Sequence, residues 1–125
     1  MEYKIVIPGR FPGMNEFIQA NRSAHGIVAN SMKRNSQKEI SAYLKQQLKA
    51  LHITKPVFIR YVYYEPNRKR DLDNISGYFH KVFQDALVHN KVITDDGWSY
   101  VVGFSDNFHV SKDPRIEITL EEVER

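Results

Sequence analysis

Cysteine is absent from this 125-residue chain, which excludes disulfides, thiolate metal sites and thiol nucleophiles and fits a reducing compartment. Any bound metal must therefore be held by oxygen or imidazole. The histidines, His25, His52, His80, His89 and His109, are scattered without the spacing of a zinc site. Also missing are a Gly-rich phosphate loop, a nucleophile elbow, internal repeats and a Gly/Ser linker. No apolar run approaches a membrane span, and Met1-Glu2-Tyr3-Lys4-Ile5-Val6-Ile7-Pro8 alternates instead of forming a charged and then apolar leader. The expectation is one cytoplasmic domain covering residues 1–125, with no membrane partner.

What is present is a substantial apolar complement: 42% hydrophobic residues, with seven Phe and seven Tyr. A chain of this size buries roughly two-thirds of its unfolded surface, so a packed core is expected. The net charge of +3 matters less than its distribution. Lys33, Arg34, Lys38, Lys45 and Lys49 fall along one segment, which reads equally as a solvated helix face or a polyanion contact.

Alternation predicts a first strand over Glu2 to Pro8. Pro8-Gly9-Arg10-Phe11-Pro12-Gly13 then opens a long polar loop reaching about Ser31, with a short strand at Gly26 to Ala29. Ile40, Leu44, Leu48 and Leu51 recur at helical spacing and predict an amphipathic helix from about Met32 to His52. Lys55 to Glu65, dense in β-branched and aromatic residues, reads as a central strand. A second helix is expected from Leu72 or Asp73, capped by Asp71 or Asp73, with Ile75, Phe79, Val82, Phe83, Ala86 and Leu87 as its apolar stripe. Trp98 to Phe104 and Arg115 to Val123 read as two closing strands forming a hairpin. The fold class is α+β: a mixed sheet with two main helices on one face, in the order β, long loop, α, β, α, β, β.

The segment richest in chemistry is Pro66-Asn67-Arg68-Lys69-Arg70-Asp71-Leu72-Asp73-Asn74. Three cations, suited to holding phosphates, run into two carboxylates spaced to face one side of an extended chain. A second acidic pair, Asp95-Asp96, follows the helix. Unit negative charges ~4 Å apart repel by about 4 kcal/mol at an effective dielectric of ~20, so converging carboxylates take up protons or a cation. Oxygen ligands with open positions suit Mg²⁺, with Mn²⁺ as a substitute, and such an ion can activate water against a phosphodiester. The candidate metal ligands are Asp71, Asp73 and the Asp95-Asp96 pair, with Lys81 balancing charge on the phosphate and Arg68, Lys69 and Arg70 contacting nucleic acid. The helix spans roughly 25 Å, so the chain must double back before Asp96 can meet Asp71. Taken singly, Asp-x-Asp also fits a helix cap and Asp95-Asp96-Gly97 a plain turn. Trp98 and the tyrosines of Tyr61 to Tyr64 fit core packing or base stacking.

These residues resemble the RusA family of Holliday-junction resolvases. The matching parts are the basic approach from Pro66, Asp71-Leu72-Asp73-Asn74-Ile75, Lys81 ahead of Asp85-Ala86-Leu87, and Val92-Ile93-Thr94-Asp95-Asp96, with Pro12 and Asn15 after the first strand. The resemblance implies a homodimer that binds four-way junction DNA and, with Mg²⁺, makes paired symmetric nicks. It also implies that Asp71, Asp73 and Asp96 are the catalytic metal ligands and that Lys81 is catalytic. In the best-known members the lysine follows the second aspartate by one helical turn; Lys81 stands two turns beyond Asp73, with Gly77 at the nearer place. Gly77 therefore marks either a kink or a close backbone approach. Two other readings stand beside the resolvase: a branched-DNA-binding protein that does not cut, and a nuclease without four-way-junction selectivity.

Overall fold

The computed structural model describes residues 1–22 and 26–124, so His25 lies outside the described residues. The elements run β1 (Glu2–Pro8), α1 (Met14–Asn21), α2 (Ile27–Leu48), β2 (Val57–Glu65), α3 (Leu72–His89), β3 (Val101–Val110) and β4 (Arg115–Glu122). The class is α+β as expected, with a mixed four-stranded sheet in the order β1-β4-β2-β3. β2 and β3 are parallel, whereas β4 runs antiparallel to both β1 and β2.

Three of the expected details change. The long loop gives way to α1 and to an earlier start of α2, and Gly26 to Ala29 is helix entry instead of strand. Met14, Phe17 and Ile18 supply an apolar stripe at helical spacing, and Glu16 accepts from the Gly13 N–H at 3.2 Å to close the first turn. Gly26 can lead into α2 because it tolerates its φ of 83°. Lastly, β3 and β4 form no hairpin. β2 lies between them, and the link over 111–114 steps across its end, where the Ser111 N–H donates to the Glu65 carbonyl at 2.8 Å.

The core follows from alternation meeting helical periodicity. Val57, Ile59, Tyr61 and Tyr63 turn inward along β2, and the predicted stripe of α3 is buried against them. Phe79 stacks on Phe83 at 5.4 Å, and both meet Tyr61 edge-on. Tyr61 and Tyr63 are thus core residues, each stabilising the fold by about 1.5–3 kcal/mol through burial. Gly77 is the close approach, not a kink: a methyl there would stand 3.1 Å from Met14 Cε where α1 crosses α3.

The two sheet edges differ. The Gln47 side chain accepts from the Val6 N–H at 2.8 Å and donates to its carbonyl at 2.7 Å, blunting the outer edge of β1. β3 forms the other edge and exposes Val102, Phe104 and Val110.

Candidate active site

β2 delivers the chain to the acidic segment through Pro66, and the Asn67 side chain accepts from the Lys69 N–H at 3.0 Å to shape the turn. Arg70 then locks this approach. Its Nε and Nη2 donate to the two Glu65 oxygens at 3.2 and 3.0 Å, and Nη1 donates to the Phe11 carbonyl at 2.9 Å. Arg10 adds a further donor to Glu65 at 2.9 Å. With side chains only 16% and 9% exposed, Arg70 and Glu65 clasp β2, the amino-terminal segment and the entry to α3 together. The Arg70 guanidinium is thereby engaged internally, whereas Arg68 and Lys69 are exposed, and Arg68 lines a cavity with Asp71.

Asp71 occupies the N-cap position of α3 in extended conformation, yet its carboxylate makes no capping hydrogen bond. Asp73 follows in the first turn, where the helix dipole favours negative charge. Both are exposed, and neither is in an ion pair among the described residues. The neighbouring Asn74 side chain accepts from the Asn15 N–H at 2.7 Å and ties α1 to α3. Gly13 permits this, since a methyl there would lie 2.7 Å from the Asn74 amide.

Beside Asp71 opens a cavity of about 440 Å³, its walls formed by the apolar Leu72, Ile75, Phe108 and Val110 and by polar and charged side chains that include Arg68, Asp71 and His109. Lys81 is exposed further along α3, about 12 Å from Asp73 by helical rise, and pairs with Asp85 at 3.5 Å. Asp96 does not join Asp71 and Asp73 within one chain. It precedes β3 and lines a different cavity, of about 480 Å³, together with Gln84 and Trp98. Gln84 lies about 16 Å beyond Asp73 along α3, and the parallel β2 and β3 place Asp71 and Asp96 at opposite ends of the sheet. Among the described residues of one chain, no group of three acidic or imidazole side chains converges to hold a metal.

A model of the Endodeoxyribonuclease RusA family matches residues 12–121, nearly the whole chain. The chain belongs to the RusA endodeoxyribonuclease family. No curated protein matches it. Membership makes this RusA-family chain a DNA-cutting hydrolase of the Holliday-junction-resolving kind, in a family generally dependent on divalent metal. The donor set fits a hard cation in chemistry: Asp71 and Asp73 are exposed oxygen ligands on a rigid helix start, and Mg²⁺ commonly binds through one or two carboxylates while keeping waters.

Sequence reasoning missed three polar residues, Glu65 at this end of the sheet and the pair His80 and Asp106 midway along α3 and β3. Glu65 carried a signal, since it continues the inward-facing series of β2 and stands five residues before Arg70. His80 and Asp106 carried little. They meet at 2.7 Å, Tyr63 donates to the same Asp106 oxygen at 3.0 Å, and Tyr61 and Phe104 flank the imidazole at 4.5 and 4.6 Å. Trp98, read mainly as core, is instead 93% exposed.

Proposed function

We propose that this chain resolves Holliday junctions as a Mg²⁺-dependent homodimer, making paired symmetric nicks, with Asp71 and Asp73 of one copy and Asp96 of the other forming each site. The observation carrying this reading is the presentation of Asp71 and Asp73 at the start of α3, engaged by neither cap nor ion pair, while Asp96 stands at the far end of the same chain. A two-fold assembly supplies the missing carboxylate reciprocally and sets one site against each of two opposed strands.

When bound, the ion polarises the scissile phosphate and lowers the pKa of the attacking water. The protein's own residues do the rest. Arg68 and Lys69 hold the backbone phosphates on either side, while Arg70 fixes the segment through Glu65. Lys81, steered by Asp85, offers an ammonium to the charge that develops on the phosphate oxygens. Position decides these roles, because a misplacement of about 1 Å can cost a hundredfold in rate.

The test is cleavage of a synthetic mobile four-way junction alongside three-way, flap and linear duplexes. Asp73→Asn is expected to abolish nicking while retaining junction binding. Unchanged nicking would remove Asp73 from the mechanism, and equal cutting of all substrates would remove junction selectivity.

A further inference from the structure

We infer that two copies of the chain join through the outer edge of β3, and that the Trp98 indole of each seats against the apolar wall of the cavity beside Asp71 of the other. The inference rests on the two-copy reading above and names the surface that would produce it.

β3 is a ten-residue edge strand. Its pairing with β2 sets Asp106 beside Tyr61 and Phe108 beside Tyr63, so Phe104, Phe108 and Val110 face the helix layer by alternation, as does Val101 on the other side of the bulge at Val102. That row continues the core face beyond the reach of α3, leaving Phe104 and Val110 exposed. A long apolar edge of this kind is a template for another strand, and the opposite edge is already blunted by Gln47.

Two-fold pairing of β3 with its copy is antiparallel, so the start of one strand lies against the end of the other. The start carries Asp96 and Trp98; the end carries the cavity of about 440 Å³ beside Asp71. Both features lie on the α3 side of the strand, with Gln84 lining the first and Leu72 and Ile75 the second. A two-fold axis perpendicular to the sheet keeps the two helix layers on one side, so the surfaces that meet are complementary. An exposed indole faces a hollow lined by Leu72, Ile75, Phe108 and Val110. Trp98 follows Asp96 by two residues, so seating the ring carries that carboxylate towards Asp71 and Asp73. A buried aromatic at the centre of an interface is the type of residue that dominates association.

Trp98 is the only tryptophan, so its emission reports on this contact alone. Sedimentation velocity and tryptophan fluorescence are followed together on the full chain, without DNA, across a dilution series. The expected result is a dimer with blue-shifted emission shielded from acrylamide, both lost on dissociation. Trp98→Ala should weaken dimerisation roughly thirtyfold or more. Val110→Lys, which puts a charge on the strand edge and in the wall of the hollow, should also favour monomer, with circular dichroism confirming that both variants remain folded. A dimer whose Trp98 stays solvent-exposed, or unchanged dimerisation of Trp98→Ala, would overturn the inference. So would an emission shift seen only with junction DNA, which would assign the ring to unpaired bases. Nicking by a dimer with an exposed Trp98 would overturn this contact and leave the nuclease reading intact. Absence of nicking by a dimer with a buried Trp98 would do the reverse.

Discussion

Replacing Arg70 with alanine separates the three neighbouring cations by role. Its guanidinium makes three donor contacts of 2.9 to 3.2 Å within the protein, two of them to a Glu65 carboxylate that is 9% exposed. Breaking a fully buried ion pair costs about 3–5 kcal/mol. Here Glu65 keeps Arg10, and the pair retains some solvent contact, so the expected loss is about 2–3 kcal/mol. With a urea slope of about 2 kcal/mol/M, the unfolding midpoint should fall by about 1–1.5 M. Arg68→Ala, at an exposed position, should change stability by less than about 0.5 kcal/mol. Junction binding against salt should show the opposite order. Arg68→Ala and Lys69→Ala each reduce the log–log slope by about 0.9, whereas folded Arg70→Ala leaves it unchanged. A midpoint for Arg70→Ala within about 0.25 M of the parent, or a slope reduced as much as by Arg68→Ala, would refute the internal role.

Alkaline pH gives a second test. Burial pushes the phenols of Tyr61 and Tyr63 well above their ordinary 10.0, with the Asp106 carboxylate adding to the effect at Tyr63. Both stay protonated in the fold while the unfolded chain ionises, so stability is fully present below about pH 10 and declines as pH rises further. Together they should give a slope that steepens from about −1.4 kcal/mol per pH unit at pH 10 towards about −2.7 near pH 11, and Tyr63→Phe should halve it in urea titrations; a flat profile to pH 11 would contradict the burial argument. Gly13→Ala puts a methyl 2.7 Å from the Asn74 amide and should displace the bond to the Asn15 N–H. A loss of about 1–2 kcal/mol is expected, measured by thermal unfolding, and an unchanged midpoint would show that Asn74 relaxes without cost.

The parts legible in the sequence were those written in local pattern. The inward alternation of β2 and the stripe from Ile75 to Leu87 follow from periodicities of two and 3.6, and Asp71 fell at the strand-to-helix transition where the spacing put it. α1 was hidden because its eight residues, between Gly13 and Gly26, carry too few turns for periodicity to stand out among polar neighbours. The hairpin reading failed for a non-local reason: β4 pairs with both β1 and β2, and no local signal says that another strand will lie between two successive ones. The same limit governs the site. Asp71 and Asp73 share a helix start and could be grouped from spacing, but the place of Asp96 depends on the parallel crossover to β3, which puts it at the other end of the sheet. Arg70 looked like its neighbours Arg68 and Lys69 because sequence records charge without recording which charge meets a buried carboxylate.

The most direct test of the shared site mixes two inactive proteins. Asp71→Asn and Asp96→Asn homodimers should each fail to nick a four-way junction. In a mixed dimer, one site receives both substitutions, while the other combines the intact Asp71 of one copy with the intact Asp96 of its partner. Unfolding and refolding the two variants together should therefore restore single nicks without paired resolution. No recovery, in mixtures shown by mass spectrometry to contain mixed dimers, would contradict a site built from two chains.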